Sequence, residues 1–464
     1  MNKSNSRLPL LILGTGIVIL LLLLGSRYRH PTQNPRTFSV EASAPSDAGG
    51  ARDSKRTSPF RSAASSPVPP ATAEEIVASK MKQFARARRD VMRAMAKQKN
   101  IEIPDAVERY FETLESGDWN QIEAAFNAIN GGEPNAGQGS ARRPEVTQLW
   151  GPIIDAYGVA EQVHLWPAQK LLDYGNAVLG SLRPGMVYVG GTDEGRWVPT
   201  LLNETSEGER HIVITQNGLA DGIYAEYLRF LYGDRFNALS NDDSQRAFQD
   251  YMSDGQKRFE HDQKFPDEPK QLRDNENIQV KDGKVQVSGI VAVMDINERL
   301  LRMLMDKNPD LSFALQESFP LKSTYADASP IGPIMELRAQ DQSSFTAERA
   351  AESVNYWRNV ADQLRASPDD ANGETPLKSY SKLATGQANL FAERGFTESA
   401  EQTYRIALGI VPSNADAVFG LAELLERTGR AQDARNLADQ FARDFPKQAN
   451  DVKRFRRSGF IYVQ

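Results

Sequence analysis

Gly190-Gly191-Thr192-Asp193-Glu194-Gly195 follows a short apolar run and has the glycine spacing of a loop whose backbone amides cradle phosphate. The chemistry fails at the next two positions. Arg196-Trp197 stands where such a loop carries Lys-Ser/Thr, and Asp193 and Glu194 would repel the anion. A nucleotide site is therefore excluded, but the same residues allow a second chemistry. Thr192, Asp193 and Arg196 follow one candidate strand, and Gln216, Asn217 and Asp221 follow the next. If those strands are neighbours, these side chains gather beyond the carboxyl ends of a parallel sheet, where open α/β sheets bind ligands, and suit a polar, sugar-like molecule. The competing role for Asp193 and Asp221 is to cap the helices they precede, the common task of Asp at such positions.

No G-x-S-x-G elbow, H-E-x-x-H pair or D-x-D pair occurs, so no catalytic set is expected. The chain has no cysteine, which excludes disulfides, thiolate metal sites and a cysteine nucleophile. His30, His164, His211 and His261 lack metal-ligand spacing. Neither a metal nor another cofactor is expected. A net charge of −6 over 464 residues gives no electrostatic reason to seek nucleic acid.

The rim residues require strands to position them. Met186–Gly190 and His211–Thr215 are β-branched runs without polar alternation, the pattern of strands buried on both faces of a parallel sheet. Ile278–Asp282 and Gly283–Val287 alternate around Asp-Gly, a type I′ hairpin signal. A helix through Ile296, Leu300, Met303 and Leu304 leads to strands at Leu311–Gln316 and Ile334–Leu337. Residues 183–340 thus read as an α/β domain with a mostly parallel sheet of about five or six strands.

Upstream, Leu8–Gly25 is uncharged and apolar, and as a helix it would rise about 27 Å against a hydrocarbon core of roughly 30 Å. Ser26-Arg-Tyr-Arg-His30 follows it without a small-residue cleavage site, so residues 1–30 are expected to be a tail and an uncleaved single-pass anchor. This places the chain in the inner membrane, with the amino terminus cytoplasmic and the bulk periplasmic. Residues 31–73, rich in Ser, Ala and Pro, read as a disordered tether. Residues 74–182 read as helices. The first has an apolar stripe from Val77 to Met95, and its basic positions Lys80, Lys82, Arg86, Arg88, Arg89, Arg93 and Lys97 suit either anionic headgroups or a solvated face.

Residues 343–464 read as all-α, with an internal repeat. Ala388, Gly395, Ala400, Tyr404, Ala407 and Pro412 fall at tetratricopeptide positions, and Ala422, Gly429, Ala434, Ala438, Phe441 and Pro446 repeat them about 34 residues on. Exposed positions between the packing residues are the candidates for holding a protein partner: Gln387, Asn389 and Glu393 in one repeat, Glu423, Glu426 and Arg427 in the other.

Four stretches, "RPGMVYVGGTDEGRWVPTLL", "HIVITQNGLADGIYAEYLRFLYGD", "VQVSGIVAVMDIN" and "YSKLATGQANLFAERG", resemble the soluble C-terminal part of bacterial protein O-mannosyltransferase-like membrane proteins, a family containing a domain of unknown function. The similarity spans Leu182 to Pro446. It implies the α/β fold, its joining to the repeats and an extracytoplasmic location. The family's many spans, where its glycosyl transfer is placed, have no counterpart beyond the one apolar segment. The chain is accordingly expected to be a membrane-anchored scaffold whose repeats bind a protein partner at the cell envelope. A glycan-binding or glycosyl-transfer accessory role at the sheet rim is the alternative.

Overall fold

The computed structural model describes residues 70–131, 142–191, 193–273, 276–281, 284–316, 325–326, 328–337, 345–366 and 374–446. The two apolar runs form β1 (Val187–Gly190) and β2 (Ile212–Thr215), buried throughout and paired in parallel from Val187↔Ile212 to Gly190↔Thr215. On the other side of β1 lies β5 (Phe313–Leu315), also parallel. The remaining pair, β6 (Ala328–Ile331) and β7 (Ile334–Leu337), is antiparallel within itself and to β5, giving the order β2-β1-β5-β7-β6.

The mostly parallel sheet expected from the sequence is therefore corrected to a mixed one. The cause is the connection: Ile331 pairs with Ile334, which leaves only Gly332 and Pro333 between β6 and β7. Two residues close a hairpin, whereas a parallel pair needs a long crossover. Gly332 takes the left-handed conformation this turn requires (φ 53°). β6 was not expected as a strand, and its Pro330 disfavours one except at a sheet edge. The expected Asp-Gly hairpin supplies β3 (Asn277–Lys281) and β4 (Lys284–Ser288), which pair antiparallel as a separate ribbon; its turn lies outside the described residues.

The outer margin of β2 is capped at Thr215, whose amide donates to the Tyr224 hydroxyl at 2.8 Å. β6 carries Pro330, a residue sheets tolerate at edges.

Helices outweigh the sheet, with fifteen among the described residues, so the α/β expectation is also corrected to a mainly helical fold. The long α1 (Ala73–Lys99) buries Val77, Met81, Phe84 and Met95. Its basic face meets the acidic stripe of α2 (Asp105–Ser116). Arg86 pairs with Glu115 at 2.8 Å, Arg89 with Glu108 and Glu112 at 2.7 and 2.9 Å, and Arg93 with Glu108 at 2.8 Å. These cations are neutralised within the chain. After α3 (Trp119–Ile129) and α4 (Pro144–Gln148) come α5 (Trp150–Leu165) and α6 (Ala168–Leu179). β1 is followed by α7 (Asp193–Glu204), β2 by α8 (Gly222–Tyr232), then by α9 (Asn241–Lys264), and the ribbon by α10 (Ile290–Lys307). α5 approaches its neighbours through glycine. A Cβ on Gly158 would lie 2.2 Å from the Trp197 ring, and one on Gly151 2.4 Å from that of Tyr227.

The last helices are α11 (Ala347–Ala366), α12 (Glu374–Glu393), α13 (Thr397–Ile410), α14 (Ala415–Arg427) and α15 (Ala431–Asp444). α12–α13 and α14–α15 form two successive pairs. Ala388, Ala400, Tyr404 and Ala407 are buried in the first, and Ala422, Ala434, Ala438 and Phe441 at the matching places in the second. Gly395 and Gly429, both near φ 80°, end the first helix of each pair.

No helix among the described residues is long and apolar enough to cross a membrane. The single-pass, inner-membrane placement is corrected on that ground. Residues 8–25, on which it rested, lie outside the described residues, as does most of the 31–73 stretch.

Candidate functional site

The carboxyl ends of β1, β2 and β5 lie side by side, so the residues that follow them share one rim. Its hub is the Gly191 peptide. The Gly191 N–H donates to Gln316 Oε1 at 2.8 Å, while its carbonyl accepts from Thr215 Oγ1 at 3.2 Å and Asn217 Nδ2 at 2.8 Å. Gln316 is buried, and its Nε2 donates to the Tyr174 hydroxyl at 3.1 Å. A Cβ on Gly195 would lie 1.6 Å from Gln316 Oε1, and one on Gly190 would lie 2.8 Å from the Gly195 carbonyl. The glycine frame therefore admits the carboxamide of Gln316 where a phosphate loop would admit phosphate.

Below this rim lies a charge cluster drawn from four helices. Arg196 donates to Asp155 Oδ1 at 2.6 Å, and its guanidinium lies 3.7 Å over Trp197. Asp155 Oδ2 accepts from the Tyr227 hydroxyl at 2.7 Å and lies 3.4 Å from Arg88 Nε, and Arg88 Nη1 meets Glu204 at 3.4 Å. Burial works against the Arg88 charge, yet Tyr227, Glu204 and Asp155 together more than offset it, and its pKa is raised. Burial pushes Tyr227 well above the ordinary tyrosine value and Tyr224 up to about 12, with Arg196 opposing in the latter case. Tyr227 donates to Asp155, and Tyr224 accepts from the Thr215 amide.

Of the rim residues read from the sequence, Asn217 stands at the hub and Arg196 turns towards Asp155. Asp221 caps α8 by accepting from the Ile223 amide at 2.9 Å. Asp193 opens α7, with its side chain, like Thr192, outside the described residues. Asp155, Tyr174, Tyr227 and Gln316 were missed, and Arg88, read among the basic positions facing solvent or headgroups, is buried instead. The signal for Asp155 was its place between Gly151 and Gly158, which announces close helix contact on both sides. For Gln316 there was none, since its partners lie more than a hundred residues away in sequence.

The second group lies between α12 and α14. The Tyr404 hydroxyl, reaching in from α13, donates to Asn389 Oδ1 at 2.5 Å. Burial raises the Tyr404 pKa first, Glu423 and Glu393 raise it further, and Arg427 acts against them. Asn389 bonds this phenol and Glu393, Glu423 and Arg427 act on its charge, with Glu393, Glu426 and Arg427 exposed. Gln387 does not belong with them. It is buried, accepts from Ser353 and Trp357, and donates to the carbonyls of Gly332 and Ile334.

Among the described residues no group of three or more His, Cys, Asp or Glu side chains is arranged to hold a metal ion. No family model, no curated protein and no solved structure matches the chain.

Proposed function

We propose that this protein is a non-catalytic binding module, whose two helix pairs act as tetratricopeptide-type repeats and hold a segment of a protein partner between α12 and α14. One observation carries the reading. Four of the six candidate contact residues, Asn389 and Glu393 from α12 and Glu423 and Arg427 from α14, act on the same Tyr404 phenol, and Glu393 and Arg427 are exposed. The rim supports an alternative less well, because the side chains of Asn217, Gln316 and Thr215 are already bonded to Gly191.

A photo-crosslinking residue at Glu426 of the full chain, expressed in its own cells, tests this. A discrete adduct is expected, and it should be lost when Glu423→Lys is added. Surface changes of this kind usually cost within about ±0.5 kcal/mol, so folding should survive. No adduct at Glu426, or one that persists unchanged in a folded Glu423→Lys chain, refutes the proposal.

A further inference from the structure

The rim and the helix pairs are joined by an unbroken line of buried side chains. It runs from the Gly191 amide to Gln316 (2.8 Å), and from Gln316 to the Tyr174 hydroxyl (3.1 Å). The ring of Tyr174 then meets the ring of Tyr380 edge-on, 5.5 Å between centroids and 82° between planes. Tyr380 belongs to α12, the helix that carries Asn389 and Glu393. About two turns further along α12, Gln387 ties the helix to the same sheet a second time, at the β6–β7 turn. Its carboxamide has four hydrogen-bonding positions, and Ser353, Trp357, Gly332 and Ile334 occupy all of them. The side chains of Gln316, Tyr174, Tyr380 and Gln387 are each at most 6% exposed.

Buried amides and phenols committed in this way cannot release one partner and turn to water for another, so displacement at one end has to be taken up by the rest. We propose that α12 and the carboxyl rim of the sheet form one cooperative element, with Gln316, Tyr174 and Tyr380 as its relay. A change in the backbone at Gly191 then alters the opening of α12, and a change along α12 alters the rim. This coupling holds whatever the groove binds. Its physical basis is packing contact and hydrogen bonding through named atoms, not sequence distance or co-variation. Gly195 belongs to the same device, since any side chain there drives into the Gln316 carboxamide.

Hydrogen exchange read by mass spectrometry on the full chain tests the coupling from both ends. Tyr174→Phe keeps the ring against Tyr380 but leaves Gln316 Nε2 without its acceptor. Exchange should quicken on the order of tenfold in segments covering 187–191 and 380–388, the ratio that corresponds to roughly 1.4 kcal/mol. Tyr380→Leu removes the ring at the far end and should quicken the same two segments. Either variant changing only the segment nearest to it overturns the proposal. So does a uniform rise that also reaches α1 and α2, because that is loss of global stability rather than coupling.

Discussion

Asp155 offers the sharpest test of what holds the centre of this molecule. Its carboxylate is 4% exposed and takes Arg196, Tyr227 and Arg88 at once. Asp155→Ala leaves Arg88, itself 1% exposed, with Glu204 at 3.4 Å as its one remaining carboxylate among the described residues, and leaves the Tyr227 hydroxyl without its acceptor. Breaking a buried pair from one side costs about 3–5 kcal/mol, and an orphaned buried hydroxyl adds about 1–3 kcal/mol. Arg196 recovers part of this, since its side chain keeps 16% exposure and can turn towards water. A net loss of about 4 kcal/mol is expected. Replacing both buried charges by apolar residues of similar size, as in Arg88→Met with Asp155→Leu, should cost less than the single change, because the charges left behind, Arg196 and Glu204, keep 16% and 14% side-chain exposure. Urea denaturation followed by tryptophan fluorescence, to which Trp197 beside Arg196 contributes, measures both variants. A single variant within about 0.5 kcal/mol of the parent would show that the cluster is hydrated and that its burial counts for little. A double variant worse than the single would refute the stranded-charge argument.

Two further outcomes are expected. Asp243 is pushed up by burial but held down more strongly by Lys307 and by the Ser240 cap, so its pKa falls from 3.8 to about 2. Its contribution is therefore present above pH 3.8 and disappears as pH falls towards about 2; parent and Asp243→Asn should differ in melting temperature above that window and converge below it, and a constant gap would contradict the assignment. In the second helix pair Ala434 is 1% exposed, and Ala434→Leu should overpack α15 against α14 at a cost of roughly 1–3 kcal/mol. Unchanged melting of the full chain would mean that the helices do not cross there.

What could be read from the sequence was what local pattern dictates. β1 and β2 announced themselves because four consecutive apolar or β-branched residues suit burial on both faces. The helix pairs announced themselves because small residues recur at one period. The mixed sheet was hidden because β6 contains Ser329 and Pro330, whose local preference is for turns, and only its place at the sheet edge makes them acceptable. The basic helix α1 was ambiguous because charge alone does not say whether Glu108, Glu112 and Glu115 face it. At the rim, Asn217 was recognisable from its position after a strand. The commitment of Asn217 to the Gly191 carbonyl was not, and Gln387 looked like a surface residue because its burial depends on a hairpin more than fifty residues away.

The phenol of Tyr224 has a consequence for how this molecule can associate. A strand at the margin of a sheet normally offers its amides to any extended chain that passes, and proteins join or aggregate that way. Here the Thr215 amide on β2 is stoppered from within, and on β6 an imino acid removes a donor altogether. Each margin of the main sheet thus offers one donor fewer to a passing chain, and assembly made side chain against side chain, helix on helix, gains by comparison.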